Sequence, residues 1–185
     1  MAFPKENKHY THADYCSWDD DERWELIDGI LYAMTPAPSR FHQSVSGNLF
    51  GQLFNYLQGK PCKVYHAPFD VRLNADANDD TVVQPDLLVV CDSSKLDDKG
   101  CVGAPDLIVE ILSPSTARKD RLIKFQKYQQ VGVREFWIIE PETRTVQVCT
   151  LENGKYITSM YGDTDTVHVH VLEGCQIELC SVFAE

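Results

Sequence analysis

Two carboxylates occupy positions where a folded chain rarely tolerates them. Glu110 lies in Leu107-Ile-Val-Glu-Ile-Leu112, apolar on both alternating faces, the pattern of a central strand covered on each side. An ionised carboxylate there is costly unless it is paired or bound to a metal. Asp86 opens a second such run, Asp86-Leu-Leu-Val-Val90, directly after Pro85. Two carboxylates at like places on neighbouring strands can share one hard cation. Mg²⁺ takes oxygen ligands and keeps several waters, so two protein carboxylates suffice. A metal held in this way lowers the pKa of bound water and neutralises charge on a phosphoryl oxygen. Asp86 and Glu110 are therefore the candidate metal ligands. The plainer alternatives are a strand-end cap for Asp86 and a buried salt bridge to Lys or Arg for Glu110.

Geometry adds a lysine. From Glu110 to the turn at Ser113 the strand advances roughly 10 Å, at ~3.3 Å per residue. A crossover helix returning at ~1.5 Å per residue retraces that distance in about seven residues. Starting near Thr116, this brings Lys124 level with Glu110. Asp120, Lys124 and Tyr128 also share one helical stripe at i, i+4 and i+8. Read without a site, the stripe is an exposed ion pair on a helix face.

Weaker candidates surround these residues. His42 shares a helix side with Val45 and Leu49, as a satisfied, partly buried histidine or as a group that positions water. Glu25, next to Asp28-Gly29, either completes the acidic cluster or is an exposed strand residue. Arg118, Lys119 and Arg121 form the best local basic patch, able to contact phosphate or simply solvated. Ser113 and Ser115 lack a Gly-x-Ser-x-Gly elbow and read as a helix-capping turn. His168 and His170 alternate on a strand without an obvious third ligand and read as surface.

The elements that must carry these residues are legible from local pattern. A short helix is expected over 11–23, entered at Thr11 and ending in the acidic run Asp19–Glu22. Two apolar runs, 24–27 and 30–34, flank Asp28-Gly29, a strong hairpin signal. Ser39 can cap a helix over about 40–58, where Phe41, Val45, Leu49, Leu53 and Leu57 recur every fourth residue and Gly59-Lys-Pro61 ends it. Strands follow at 63–73, where Pro68 marks an edge or bulge, at 82–91, and at 105–112. A helix over about 116–131, stopped by Gly132, leads to a strand over 135–140. Strand, helix, strand at this spacing makes a crossover with parallel strands. Short strands and turns fill 144–180.

Composition sets the outer bounds. The 185 residues suit one domain, and 43% hydrophobic with 24% charged residues is ordinary for a globular protein. The chain has no apolar run long enough to span a membrane and no signal-peptide stretch at Met1–His9, so a cytoplasmic protein is expected. Seven cysteines without a CxxC pair agree, and they read as reduced, buried thiols rather than a zinc site or disulfide framework. The net charge of −11 excludes a broad phosphate-gripping surface. Any nucleic-acid contact must be local, metal-assisted or supplied by an oligomer.

Pro85-Asp86, then Glu110 in an apolar strand, then a helix, resembles the PD-(D/E)XK superfamily of restriction-endonuclease-like nucleases. More closely, the chain resembles a bacterial family of restriction-endonuclease-like proteins abundant in cyanobacteria. The matching segments are Glu25-Leu-Ile-Asp-Gly29, His42, Pro85-Asp86, Glu110-Ile-Leu-Ser-Pro-Ser-Thr116, Asp120, Lys124, Tyr128 and Gly132-Val-Arg-Glu-Phe-Trp137. The resemblance implies an α/β fold with a restriction-endonuclease-like core of helix, three strands, helix and strand, here with an N-terminal hairpin and a C-terminal β extension. It implies Mg²⁺- or Mn²⁺-dependent hydrolysis of phosphodiesters in DNA, with Asp86 and Glu110 on the metal and, as in many related nucleases, a homodimer. The superfamily pattern places lysine two residues after the acidic residue, where this chain has Leu112. The lysine role then passes to Lys124, or the protein is a weak or inactive nuclease acting as a scaffold or binding module.

Overall fold

The structure is a computed structural model and describes residues 8–18, 23–34, 37–75, 77–114, 117 and 119–184. The acidic run at 19–22, the breaker at 35–36, the turn residues 115–116 and Arg118 lie outside the described residues.

Thr11 opens helix α1 (His12–Tyr15) with a reciprocal cap: its hydroxyl accepts from the Asp14 amide, and the Asp14 carboxylate accepts from the Thr11 amide. The helix is shorter than the sequence suggests. Ser17 Oγ donates to the Asp14 carbonyl at 2.6 Å, taking an acceptor that a further turn would need. Strands β1 (Trp24–Ile27) and β2 (Ile30–Ala33) form the expected hairpin. Asp28 and Gly29 turn it with φ of 51° and 72°, the left-handed pair that a two-residue loop requires. A side chain at position 29 would also meet the His9 ring, 2.2 Å from Nδ1.

Helix α2 (Arg40–Leu57) begins at Ser39, whose hydroxyl accepts from the His42 amide, and buries the Val45, Leu49, Leu53, Leu57 stripe. The strand expected over 63–73 is two strands, β3 (Lys63–His66) and β4 (Asp70–Arg72), parted by a cis Ala67–Pro68 bond. The strand expected over 82–91 is likewise β5 (Val82–Val83) and β6 (Leu87–Val90). Pro85 lacks the amide that a continuous ladder needs, and the two halves join different sheets. Between the strands expected over 82–91 and 105–112 the chain forms two more, β7 (Leu96–Asp97) and β8 (Gly100–Val102), the latter paired with a parallel neighbour, β4. Strand β9 (Leu107–Ile111) follows.

The crossover helix is not uniform. Lys119–Lys124 is a π-helical turn, and α3 (Phe125–Val131) continues as α-helix until Gly132, at φ 86°, closes it. Strand β10 (Glu135–Glu140) then lies parallel to β9, as the crossover requires, with Ile138 beside Glu110. Strands β11 (Thr145–Glu152), β12 (Lys155–Gly162), β13 (Thr166–His168) and β14 (Gln176–Glu178) and helix α4 (Leu179–Val182) complete the chain.

The central sheet runs β12-β11-β10-β9-β6-β3, and a second runs β2-β1-β5-β4-β8-β7. Side chains of β9 alternate between two cores. Leu107, Val109 and Ile111 meet Val45, Leu49 and Leu53 of α2, whereas Ile108 and Leu112 meet Tyr128, Val133 and, from the second sheet, Val71 and Val83. Glu110 points into the second layer. This is the α/β arrangement expected, with both faces of the carrying strand covered.

The cysteine expectation needs correcting. Cys62 and Cys91 are joined as a disulfide, 29 residues apart. Lys63 pairs with Val90 in the antiparallel β3–β6 ladder, so one step further sets the two thiols face to face. That pairing is tertiary, and cysteine spacing carries no trace of it. Cys101, Cys149 and Cys175 are free and buried as expected, while Cys16 and Cys180 are free and exposed.

Candidate metal and active site

The β6–β9 ladder pairs Leu87 with Val109, and one further step sets Asp86 opposite Glu110. Asp86 Oδ2 accepts the Ile111 amide at 2.7 Å, which fixes its carboxylate at the mouth of the ladder. Glu110 is almost wholly buried. Its Oε1 accepts Lys124 Nζ at 2.9 Å and the Tyr128 hydroxyl at 2.7 Å. The stripe Asp120, Lys124, Tyr128 therefore faces Glu110 and is buried, not solvated as in the plainer reading.

Glu25 is the contribution of the second sheet. It is fully buried on β1 and bridges the layers: Oε1 accepts the Gln84 amide at 3.0 Å and sits 2.8 Å from Lys124 Nζ, and Oε2 takes Lys119 Nζ at 2.5 Å. The π-turn explains the pair of lysines. Residues i and i+5 stack in a π-helix, so Lys119 and Lys124 both face Glu25. Spacing by α-helical period cannot show this, and Lys119 was read as part of an exposed basic patch. Of the described members of that patch, Lys119 is thus taken up by Glu25, and Arg121 pairs with Glu140 at 2.7 Å.

His42 approaches from α2. Its Nε2 donates to the Ile111 carbonyl at 3.0 Å and lies 3.6 Å from Asp86 Oδ2, while its buried Nδ1 has no hydrogen-bond partner among the described residues. Burial would lower its pKa, but the Asp86 carboxylate raises it. Asp120 is buried, 3.4 Å from Lys124 Nζ, and its Oδ1 has no hydrogen-bond partner among the described residues. His168 and His170 are exposed, as expected of surface residues.

The electrostatics leave Glu110 short of positive charge. Four carboxylates, Glu25, Asp86, Glu110 and Asp120, cluster around the two ammonium groups of Lys119 and Lys124, with His42 beside Asp86. Burial pushes Glu110 well above the usual carboxylate range; Lys124 opposes this, and Asp120, Asp86 and Glu25 add to it. Burial works against Glu25 too, yet Lys124 and Lys119 together hold it below its usual value. Burial would discharge Lys124, but Glu110 and Glu25 hold its pKa well above normal.

This donor set suits a hard divalent cation. Glu110 Oε2 and Asp86 Oδ1 make no hydrogen bond among the described residues, and a divalent cation would relieve the crowding of carboxylates that helps raise the Glu110 pKa. No group of three His, Cys, Asp or Glu side chains that could hold a metal ion converges among the described residues, so a cation held by Asp86 and Glu110 would have to be one that keeps several waters, as Mg²⁺ does. Leu112, at the usual lysine position, is buried in the same apolar cluster as Tyr128.

The chain is similar to known proteins over most of its length. Residues 12–180 match the sequence profile of the Uma2 family, described as "Putative restriction endonuclease". The "Uncharacterized protein slr1290" of Synechocystis sp. (strain ATCC 27184 / PCC 6803 / Kazusa) is 32% identical over 143 residues, 76% of this chain and 71% of that protein. The fold is that of a crystal structure titled "a putative nuclease belonging to DUF820" from Anabaena variabilis ATCC 29413: TM-score 0.75, 17% identity, covering 94% of this chain and 97% of the other.

Proposed function

Since this chain belongs to the Uma2 family, we propose that it is a nuclease that hydrolyses phosphodiester bonds of DNA with Mg²⁺ or Mn²⁺. The observation that carries the reading is the pair Asp86 and Glu110, opposite each other, Glu110 buried and Asp86 half-buried, in a cluster of four carboxylates.

Asp86 and Glu110 would hold the cation, which when bound lowers the pKa of its water and neutralises charge on a phosphoryl oxygen. Lys124 is kept protonated by Glu25, Glu110 and Asp120 and supplies a fixed positive charge for the charge that develops at phosphorus. Tyr128 locks one oxygen of Glu110, which leaves the other free to face the cation. His42 holds the Ile111 carbonyl and so the end of the strand that positions both carboxylates. With a net charge of −11, substrate is gripped at this point and not over a broad surface.

The test is cleavage of plasmid and single-stranded DNA with Mg²⁺ or Mn²⁺. Chelation with EDTA, Asp86→Ala and Glu110→Ala are each expected to abolish it. Folded wild-type protein that cuts neither DNA, or cutting that survives both substitutions, would overturn the reading and favour a non-catalytic nuclease-fold protein.

A further inference from the structure

Strand β12 is the outer edge of the central sheet, and its exposed stretch carries no protection. Residues 156–162, Tyr-Ile-Thr-Ser-Met-Tyr-Gly, include neither a charge nor a proline, the usual guards of an edge. Ile157 is 54% exposed and Met160 63%.

The β11–β12 hairpin closes with Glu152 opposite Lys155 across a two-residue turn, so the β12 groups facing away from β11 belong to alternate residues: Tyr156, Thr158, Met160 and Gly162. Two of these amides are already satisfied. Tyr156 N donates to Gln129 Oε1 at 2.8 Å, and Gly162 N donates to Asp165 Oδ2 at 2.7 Å. The caps sit symmetrically about Ser159. Between them Thr158 and Met160 present outward amides and carbonyls that meet no partner among the described residues.

We infer that β12 pairs antiparallel with β12 of a second copy of this chain, about a two-fold axis through Ser159, to make one continuous sheet. In that register Thr158 faces Met160 of the other copy, and each copy supplies the donors and acceptors that the other lacks. Ile157 falls opposite Tyr161, an aromatic and β-branched pair that stabilises adjoining strands. One further step brings exposed Lys155 towards Asp163, in the turn after β12 and 3.9 Å from Arg144 of its own chain, opposite charges in a molecule whose net charge of −11 otherwise repels its copies. A two-fold interface requires this self-complementarity of a single patch. The groove beside β12, about 470 Å³ and lined by Leu122, Phe125, Ile138 and Gln147, lies on the same sheet face as Met160.

Sedimentation velocity on the full chain is the direct test, with the mass of two chains expected. Met160→Pro removes one outward amide without touching the β11 ladder, and it should yield a monomer whose near-ultraviolet circular dichroism is unchanged. Lys155→Glu should weaken the dimer, and Asp163→Lys added to it should restore it. Ser159→Cys sets two thiols across the axis at a non-hydrogen-bonded pair, close enough to cross-link, and should give a disulfide dimer on non-reducing gels that wild type lacks. A monomeric wild type, or a dimer that ignores Met160→Pro and fails to cross-link through Ser159→Cys, would overturn the inference. Neither result touches the nuclease reading, which rests on DNA cleavage.

Discussion

Lys124 meets Glu110 from a helix and not from the strand that carries the glutamate: Nζ and Oε1 lie 2.9 Å apart across 14 residues of chain. The lysine is thus held at the carboxylate by a π-turn followed by α-helix, and its position depends on how that helix packs. The same ammonium contacts Glu25 and Asp120, so any change at Lys124 leaves several buried acids without their partner.

Lys124→Met is expected to destabilise the fold by about 3–5 kcal/mol, the cost of stranding a buried charge. Adding Glu110→Gln should recover part of that loss, because one of the stranded acids is gone. Urea unfolding of both single variants and the double variant measures the coupling. Strictly additive losses would mean that the two groups do not share a charge pair.

Tyr128→Phe removes one donor to Glu110 and leaves the ring in its cluster. A hydrogen bond to a charged group contributes about 1.5–3 kcal/mol, and the midpoint of urea unfolding should fall accordingly with the slope unchanged. A midpoint equal to wild type would show that the hydroxyl carries no share of the carboxylate's stabilisation.

Glu25 ties stability to pH with a definite sign. Its folded pKa is depressed, as Lys124 and Lys119 outweigh burial. Its contribution is therefore present above its unfolded value and disappears as pH falls through the folded value. Glu135 has the opposite sign: burial raises its pKa, so its contribution is present below the unfolded value and lost as pH rises through the folded one. Urea melts from neutral to acid pH should show Glu25→Gln less stable near neutrality and flatter on acidification than wild type. Equal slopes would remove Glu25 as a source of acid sensitivity.

Thiol reactivity should separate the cysteines into three groups. Cys16 and Cys180 are exposed and should alkylate in the native protein. Burial pushes the Cys149 thiol up to about 12 and the Cys101 and Cys175 thiols to about 11, so all three should react only on unfolding. Cys62 and Cys91 should react only after reduction. Mass spectrometry after iodoacetamide treatment in each condition reads the groups directly, and native labelling of Cys149 would contradict its burial.

What the sequence determined by itself was whatever a local period or cap specifies. Asp28-Gly29 dictates the hairpin, Ser39 and the four-residue apolar repeat dictate α2, and two-sided apolarity around Glu110 marks a covered strand with a carboxylate in it. The stripe Asp120, Lys124, Tyr128 was also legible, since it needs only the helical period. Tertiary structure alone decided the remainder. It split the strands around Pro68 and Pro85 between two sheets, and it buried Glu25 by laying the second sheet over the crossover helix. It also shifted Lys119 onto Glu25 through a π-turn and brought Cys62 to Cys91. Each of these depends on which strands pair and which layers touch. Such contacts join residues far apart in the chain, so no neighbouring residues record them.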